Sequence, residues 1–418
     1  MNQKILFIST VYPYPKDNGK KIILSSILEY HSMKYGAKNV HLALIGSEDQ
    51  DIKTSPFHII KISKPTMFNQ IFNVLSHSFL FRNKSIQESM LYSRNIQKKL
   101  EEIISNYTYD LIIFDTIRTA QYYLIDSPKI KQFVYLDDLF SIRYQKMLEV
   151  MEEFPETDLN PLGNFKKIIP SSLSGLIKSQ QLTKLLLKME KNLVRKSELN
   201  ICERYKSCLL ISEDEVRYLH KHYGITHVKS IKPLLQENQY ERDCNYKNRT
   251  FIFLGNLSVA HNDVSITNFI EKNVEKMIEH SIHLKIIGKQ PSEKLQELGK
   301  RYSSNIEIIG YVKDLRDEFN KACGMIVPLI FGTGVKLKTL EAFSYGLPLI
   351  TTDYGIEGID IKNKEAYILE NSIENFWTHM LTLCKNDLND VISESSYSFF
   401  KLQYSKSEVY KQYNELFL

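Results

Sequence analysis

Long apolar runs are missing from this 418-residue chain. No stretch approaches the ~18 residues that a membrane-spanning helix needs, and the apolar run Ile5 to Ile8 is too short for the core of an export signal. Cysteine is scarce too. Cys202, Cys208, Cys244, Cys323 and Cys384 are odd in number and form no C-x-x-C pair, which argues against a disulfide framework or zinc site and for a reducing compartment. No D-x-D pair or histidine cluster is placed to hold a metal, and the spacing of His220, His222 and His227 matches no ligand set. Charge of one sign is not in large excess: the net +5 is mild and does not by itself point to nucleic acid, although it favours anionic surfaces or substrates. What remains is ordinary globular composition, 43% hydrophobic and 25% charged, in a length that suits two or three domains.

The most informative stretch runs from Gly324 to Gly358, GMIVPLIFGTGVKLKTLEAFSYGLPLITTDYGIEG. Met325 to Ile330 and Pro348 to Thr352 are short apolar runs rich in β-branched residues, and both read as buried strands. Between them Leu337, Leu340 and Phe343 recur at helical spacing, and Gly346 followed by Pro348 supplies a stop. The loop Phe331 to Val335 carries two glycines where strand hands over to helix, which lets backbone N–H groups approach an anion. Lys336 and Lys338 follow in the first helical turn, where the macrodipole favours acids. A local rule broken in this way marks a functional site, and a bound phosphate or diphosphate would be met by amides, dipole and ammonium groups together. Glu341, one turn further on, can accept hydrogen bonds from vicinal hydroxyls, as an acid does for a ribose in dinucleotide folds. The plainer alternative is an exposed Lys338–Glu341 pair at i, i+3 contributing only ~0.2 to 0.5 kcal/mol.

The segment G-T-G-V-K-L-K-T-L-E-A-F-S-Y-G-L-P-L-I-T-T, with G-I-E-G after it, resembles the donor-site motif of GT-B glycosyltransferases. It is most similar to the large retaining group called family 4 or group 1. The resemblance implies an α/β chain of two doubly wound, Rossmann-like domains facing each other across a cleft. It puts the donor diphosphate at the helix start, lined by Thr333, Gly334, Val335, Lys336 and Leu337, and the ribose on Glu341. Many members carry a second glutamate eight positions before the first, contacting the transferred sugar. This chain has Thr333 there, as in a subgroup with the G-T-G-x-K form.

Earlier in the chain, Lys4 to Ser9 reads as a first strand, Thr10 to Gly19 as a turn-rich loop, and Val40 to Ile45 as a second strand after a helix starting near Lys20 with Ile23, Ile27 and Met33 along it. The family resemblance nominates Gly19 as a close-approach glycine. Residues 67 to 104 read as two helices, one surface-exposed, with an apolar stretch from Ile71 to Phe81. Tyr109 to Phe114 and Gln132 to Leu136 are strand-like and end in Asp115 and in Asp137–Asp138. In a parallel sheet such positions line the ligand crevice. The segment around Asp137 is similar to a family stretch near the reacting sugar carbon, which makes Asp137 a catalytic candidate; Asp138 is a candidate helix cap or functional acid.

Residues 145 to 200 read as helical, with Leu176, Leu182, Leu185 and Leu186 apolar and Lys178, Lys184, Lys188, Lys191 and Arg195 charged, a face that could lie on a membrane. Asn200 to Ser212 reads as a strand, and Ser212 with Glu215 as a capping box. Residues 230 to 249 turn polar, which suits a linker. Phe251 to Leu254, Leu284 to Ile287 and Ile306 to Ile309 then each end in glycine, permitting close approach of a ligand. By resemblance, the loop at Gly255–Asn256 faces the phosphates and Tyr311–Val312 the base. No basic residue is obvious after the first of these loops, so Lys336 carries more of the diphosphate charge, and His261 reads as a loop or cap residue. The tail, Ser405 to Leu418, with Val409, Tyr413 and Leu416 on one stripe, reads as a helix that the resemblance returns to the N-terminal domain.

The expected domains are 1–229, completed by 405–418, and 230–404. The expected activity is metal-independent transfer of a sugar, without other cofactor, from a nucleotide-sugar donor to a glycan, lipid-linked or protein acceptor. It is expected with retention of configuration, in bacterial surface polysaccharide or glycoconjugate synthesis. The expected location is cytoplasmic, with peripheral contact at the inner face of the cell membrane. A sugar-nucleotide epimerase of similar fold and a non-catalytic sugar-nucleotide-binding or partner protein are the alternatives. Nucleic-acid binding is not expected, because aromatic and basic residues do not interleave in a recognisable module.

Overall fold

A computed structural model describes residues 3–16, 18–46, 55–124, 129–153, 180–243, 246–361 and 364–417. Leu176, Lys178 and Cys244 lie outside those residues. The first half holds seven strands, β1 (Ile5–Ser9), β2 (Val40–Ile45), β3 (His58–Ile62), β4 (Leu111–Asp115), β5 (Lys131–Asp137), β6 (Cys208–Leu210) and β7 (Val228–Ser230). Its described helices are α1 (Gly19–Tyr35), α2 (Met67–Asn73), α3 (Ile86–Leu91), α4 (Arg94–Asn106), α5 (Thr116–Ala120), α6 (Phe140–Glu153), α7 (Gln180–Arg204) and α8 (Glu213–Tyr223). The second half holds β8 (Thr250–Leu254), β9 (His283–Ile287), β10 (Ile306–Gly310), β11 (Gly324–Val327), β12 (Leu349–Thr351) and β13 (Ile368–Leu369). Its helices are α9 (Ala260–Glu279), α10 (Glu293–Arg301), α11 (Arg316–Lys321), α12 (Leu337–Ser344), α13 (Asp353–Ile356), α14 (Phe376–Leu383), α15 (Asn386–Tyr404) and α16 (Lys406–Phe417).

Two parallel sheets result, ordered β3-β2-β1-β4-β5-β6-β7 and β10-β9-β8-β11-β12-β13. In each sheet the chain winds outward from a central pair, first to one side and then to the other, which is the doubly wound arrangement of two α/β domains. The central strands are continuous hydrophobic runs because helices cover both faces of such sheets. Every residue of β1, β2, β4 and β11 is buried.

The described residues divide into two compact units. One comprises those up to Leu148, those from Gln180 to Pro233, and Gln412 to Phe417; the other comprises Glu149 to Glu153 and Leu234 to Lys411. The crossing at Pro233 lies beyond residue 229 because β7, an element absent from the sequence reading, adds an edge strand to the first sheet. The Tyr413 hydroxyl then donates to the Lys232 carbonyl at 2.7 Å. The return comes within α16 and not at Ser405, since the Lys406 amide still donates to the Glu237 carboxylate of the second unit. In α16 the buried stripe is Val409, Tyr413 and Phe417, and Leu416 lies beside it.

Several local expectations are corrected. Met33 is exposed, while Tyr30 and His31 turn inward from α1. Asn200 to Ser212 is not one strand: α7 runs on to Arg204 and only Cys208–Leu210 is strand. Leu185 on α7 is exposed, and the buried positions include Glu190 and Glu198. Those acids serve as acceptors: Glu190 takes the amide of Ile86 at 2.7 Å, and Glu198 takes the Ser141 hydroxyl at 2.5 Å. Ser212 does cap α8, accepting from the Glu215 amide at 3.4 Å. The Glu215 side chain, however, is buried and meets the Leu139 backbone, so the reciprocal half of the capping box is not made.

Candidate functional site

In a doubly wound sheet, ligands bind at the carboxyl ends of the strands where the winding direction reverses. In the second sheet that point lies between β8 and β11. The loops that leave these two strands are the Gly255–Asn256 loop and the 330–335 loop. Strand β11 ends at Val327, earlier than the apolar run suggests, because Pro328 has no N–H to continue a ladder. The freed chain is held from the side: the Ile330 amide donates to the Ser265 hydroxyl of α9 at 3.1 Å.

Gly332 and Gly334 then take φ of +136° and +74°, backbone conformations that a side chain strains. The turn they allow brings carbonyls inward. Lys336 is buried, and its ammonium donates to the carbonyls of Thr333 at 2.9 Å and Gly334 at 2.7 Å. It occupies the N-cap position of α12, one residue before the first turn in which the sequence placed it.

Lys338 does not form the exposed pair with Glu341. It is half-buried, and its ammonium lies 4.5 Å from the centre of the Phe253 ring and donates to Asn262 Oδ1 at 2.7 Å. No carboxylate among the described residues pairs with it. Burial, helped by the neighbouring Lys336 charge, pulls its pKa down to about 7. Glu341 is likewise half-buried, and burial pushes its carboxyl up to about 7. Within one turn of helix, then, stand a cation with no carboxylate partner among the described residues and a carboxylate whose charge burial disfavours. Both are costs that a diphosphate and a hydroxyl pair would relieve.

Two of the three strand-end glycines, Gly255 and Gly288, are needed for packing, whereas a Cβ on Gly310 would meet nothing within 4 Å. A Cβ on Gly288 would stand 1.9 Å from the Gly255 carbonyl oxygen, and one on Gly255 would stand 2.9 Å from Asn262 Cγ. At these two positions glycine lets the loops pack on one another. Gly288→Ala is therefore expected to destabilise the second unit by about 1 to 3 kcal/mol, the usual cost of overpacking; chemical denaturation measures it, and an unchanged midpoint would contradict this packing.

Asn256 is exposed and accepts from the amide and hydroxyl of Ser258 at 3.1 and 2.9 Å. Tyr311 is 63% exposed after β10, with the Lys289 ammonium 4.1 Å from its ring centre, and Val312 packs on the apolar cluster beneath. Thr333, Gly334, Val335, Lys336, Leu337 and Glu341 thus share one sheet edge with Gly255, Asn256, Tyr311 and Val312. Sequence reasoning missed Asn262 and Lys289. Asn262 is buried and joins three pieces at once, because its Nδ2 also donates to the Asn256 carbonyl at 3.0 Å. Only its position in the first turn of a helix after a glycine-ended strand could have flagged it. His261, in that turn too, sets its ring edge-on to Phe331 at 6.4 Å and belongs to α9, not to a loop.

Gly19 and Asp137 stand in the first unit. Gly19 is the first residue of α1, just after Asn18, whose side chain accepts from the Lys21 amide at 3.1 Å. There the winding reverses between β1 and β4. Asp115, fully buried at that point, is already engaged by Lys20 at 3.0 Å and by the Ser9 hydroxyl at 2.7 Å. One strand over, Asp137 adopts φ +74° and accepts from the Tyr135 hydroxyl at 2.7 Å. Burial raises its pKa, against the opposing charge of Lys20 and together with the like charge of Asp138. Thr116, the residue after β4, also has positive φ, at +65°. For a β-branched residue that is a true outlier, and such strain gathers at functional edges. Asp138 pairs with Arg143. Among the described residues, no group of three or more His, Cys, Asp or Glu is arranged to hold a metal.

The two doubly wound parallel sheets are the fold found in GT-B glycosyltransferases. Residues 248–386 match the family Glycosyl transferases group 1, a span that contains the whole of the edge just described in the second sheet. A relative from Klebsiella pneumoniae, described as an uncharacterized 44.6 kDa protein in cps region, is 23% identical over 417 residues, covering 97% of this chain and 98% of that one. The fold is shared by Anabaena Alr3699/HepE solved in complex with UDP (TM-score 0.64, 11% identity, 99% of both chains). It is shared too by a glycosyltransferase from Rickettsia africae (0.61, 11%, 99% and 98%). The lipopolysaccharide outer core galactosyltransferase WaaB is similar as well (0.61, 12%, 99% of both).

Proposed function

We propose that this protein transfers a sugar from a nucleotide-sugar donor to an acceptor in surface polysaccharide or glycoconjugate synthesis, with retention of configuration. The observation that carries the reading is Lys338: an ammonium with no carboxylate partner among the described residues, beside buried Lys336, at the strand edge where this fold takes a ligand. The glycosyl–diphosphate bond breaks as the acceptor oxygen bonds to the anomeric carbon, and the acceptor proton leaves. Negative charge grows on the departing diphosphate, where fixed ammonium groups stabilise the transition state more than the ground state. Glu341 accepts from the ribose hydroxyls, and the exposed Tyr311 ring offers a face to the base. The relative from a cps region and the likeness to a lipopolysaccharide galactosyltransferase support polysaccharide as the product class. Thermal-shift screening against UDP-, GDP- and dTDP-sugars tests the donor assignment through mass action; no shift with any sugar nucleotide would end it. Release of nucleoside diphosphate only when acceptor is present separates transfer from epimerisation.

The two shifted groups make a signed prediction. Diphosphate raises the pKa of Lys338 from about 7, so donor binding at neutral pH takes up a proton there. Hydroxyls donating to Glu341 lower its pKa from about 7, so a proton is released there. The wild type should show little net exchange, Glu341→Gln net uptake and Lys338→Met net release, read by calorimetry in buffers of different ionisation enthalpy. Identical proton counts in all three would contradict it. Stability follows the same signs. Glu341, raised above 4.5, contributes stability below that value and loses it as pH rises through about 7. Lys338, lowered from 10.5, contributes above that value and loses it as pH falls through about 7. The free protein is thus least helped by this pair near neutrality, where donor would restore it.

On the same reading Asp137 supplies a carboxylate that stabilises oxocarbenium-like charge. Asp137→Asn is expected to lower turnover at least tenfold with little loss of donor affinity, measured by steady-state kinetics. Near-normal turnover would remove Asp137 from the chemistry.

A further inference from the structure

The first unit exposes an apolar helix face that the glycosyl-transfer reading does not use. From Met67 the chain forms α2 and continues without a break into a wider helical segment, Val74–Leu80. Phe68, Phe72, Leu75 and Phe79 recur at intervals of four, three and four, which puts them on one side. They are 86%, 69%, 58% and 41% exposed, and Met67, Leu80 and Phe81 beside them are 55%, 73% and 64% exposed. The opposite side is fastened down. Ile71 and Val74 are half-buried, Asn73 Nδ2 donates to the Tyr92 carbonyl at 2.8 Å, and buried Ser78 shares a 2.8 Å hydrogen bond with Ser89. The apolar face is therefore held outward. Four exposed phenylalanines on one short segment far exceed the scattered apolar residues of an ordinary surface.

Charge decides what covers it. Between His58 and Gln87 the sequence contains no aspartate or glutamate but has Lys61, Lys64, Arg82 and Lys84. Lys61, Lys64 and Arg82 are exposed at the two ends of the apolar segment. Lys84 is engaged with Gln121 at 3.1 Å and lies over Tyr92, so it is not counted. Cations at both ends with no acid between them repel a second copy of the same face and attract an anionic one. No helix among the described residues is long and apolar enough to cross a membrane. An aromatic face flanked by cations, on a helix too short to span, matches the interface of an anionic bilayer, with phenylalanines at the acyl boundary and cations at the headgroups.

We propose that the helical segment 67–81 docks the protein on an anionic lipid surface by inserting Phe68, Phe72, Leu75 and Phe79, steered by Lys61, Lys64 and Arg82. This differs from the basic face of α7, where Lys191 already donates to Gln145 at 2.7 Å. The proposal stands whether or not the donor assignment holds.

Co-sedimentation of the full chain with vesicles of phosphatidylcholine, alone or with about one third phosphatidylglycerol, tests it. Binding is expected to the mixed vesicles only and to weaken with salt. The double variant Phe68→Ser with Phe72→Ser should lower partitioning at least tenfold, with an unchanged unfolding midpoint because both rings are already exposed. In Phe72→Trp, the new fluorescence should shift to the blue on those vesicles, against the constant background of Trp377. Absent binding, or binding lost on changing Lys184 and Lys188 but not the phenylalanines, would overturn the proposal. So would a soluble dimer that the phenylalanine substitutions dissolve.

Discussion

Lys336→Ala is expected to lower turnover by roughly 100- to 1000-fold, the range for removing one preorganised stabiliser of developing negative charge. Donor affinity should fall too, because on the proposed reading the same ammonium faces the diphosphate before reaction. Without donor, Lys336 is occupied by the carbonyls of Thr333 and Gly334. That contact keeps the glycine turn closed and gives the ammonium a place from which to move to phosphate oxygens. Truncation should therefore loosen the loop as well as remove the charge. The cost to folding stays small, about 1 kcal/mol, since both carbonyls belong to half-buried residues that water can reach. Steady-state kinetics with a denaturation curve separates the two effects. A variant that loses stability but keeps turnover would make Lys336 a loop fastener only.

Glu341→Gln carries the second large effect, of a different kind. Hydrogen bonds to a charged acceptor contribute ~1.5 to 3 kcal/mol, so donor affinity should fall roughly ten- to a hundredfold. Turnover at saturating donor should change much less, because the ribose proposed to meet Glu341 is not part of the bond that breaks. Stability should move the other way. Burial already disfavours the charge on Glu341, so a neutral side chain of the same shape should leave the free protein as stable as the wild type, or more so, above pH 7. A side chain that weakens the empty fold and strengthens the loaded one is placed for a ligand.

Strand ends and helix starts in the second unit were legible because each is set by local signals. Gly324 to Gly358 reads correctly as strand, glycine loop and helix. The reading overran at Ile330 only by ignoring that Pro328 cannot donate. The motif singled out Lys336, Lys338 and Glu341 and said nothing about their partners: Asn262, which Lys338 meets, lies 76 residues away in sequence, and no spacing rule reaches that far. The strand-end glycines were found, but the packing role of Gly255 and Gly288 was not readable, since it depends on what folds against them, here the Gly255 carbonyl against Gly288. In the first unit, edge strands β3 and β7 escaped notice because they are short and alternate with charge and serine. The tail of α7 passed as a strand because Ile201, Cys202, Cys208 and Leu210 are apolar in either conformation. The acids buried along α7 were unreadable too, as their acceptor roles depend on distant amides such as that of Ile86.

On the proposed reading, the edge around Lys336, Lys338 and Glu341 binds the donor of a glycosyl transfer. Calorimetric titration of the wild type, Lys336→Ala and Glu341→Gln with the sugar nucleotide that stabilises the protein most tests it directly. One donor site is expected in the wild type, with weaker binding in both variants and a turnover loss much larger for Lys336→Ala than for Glu341→Gln. Unchanged donor affinity and turnover in both variants would contradict it.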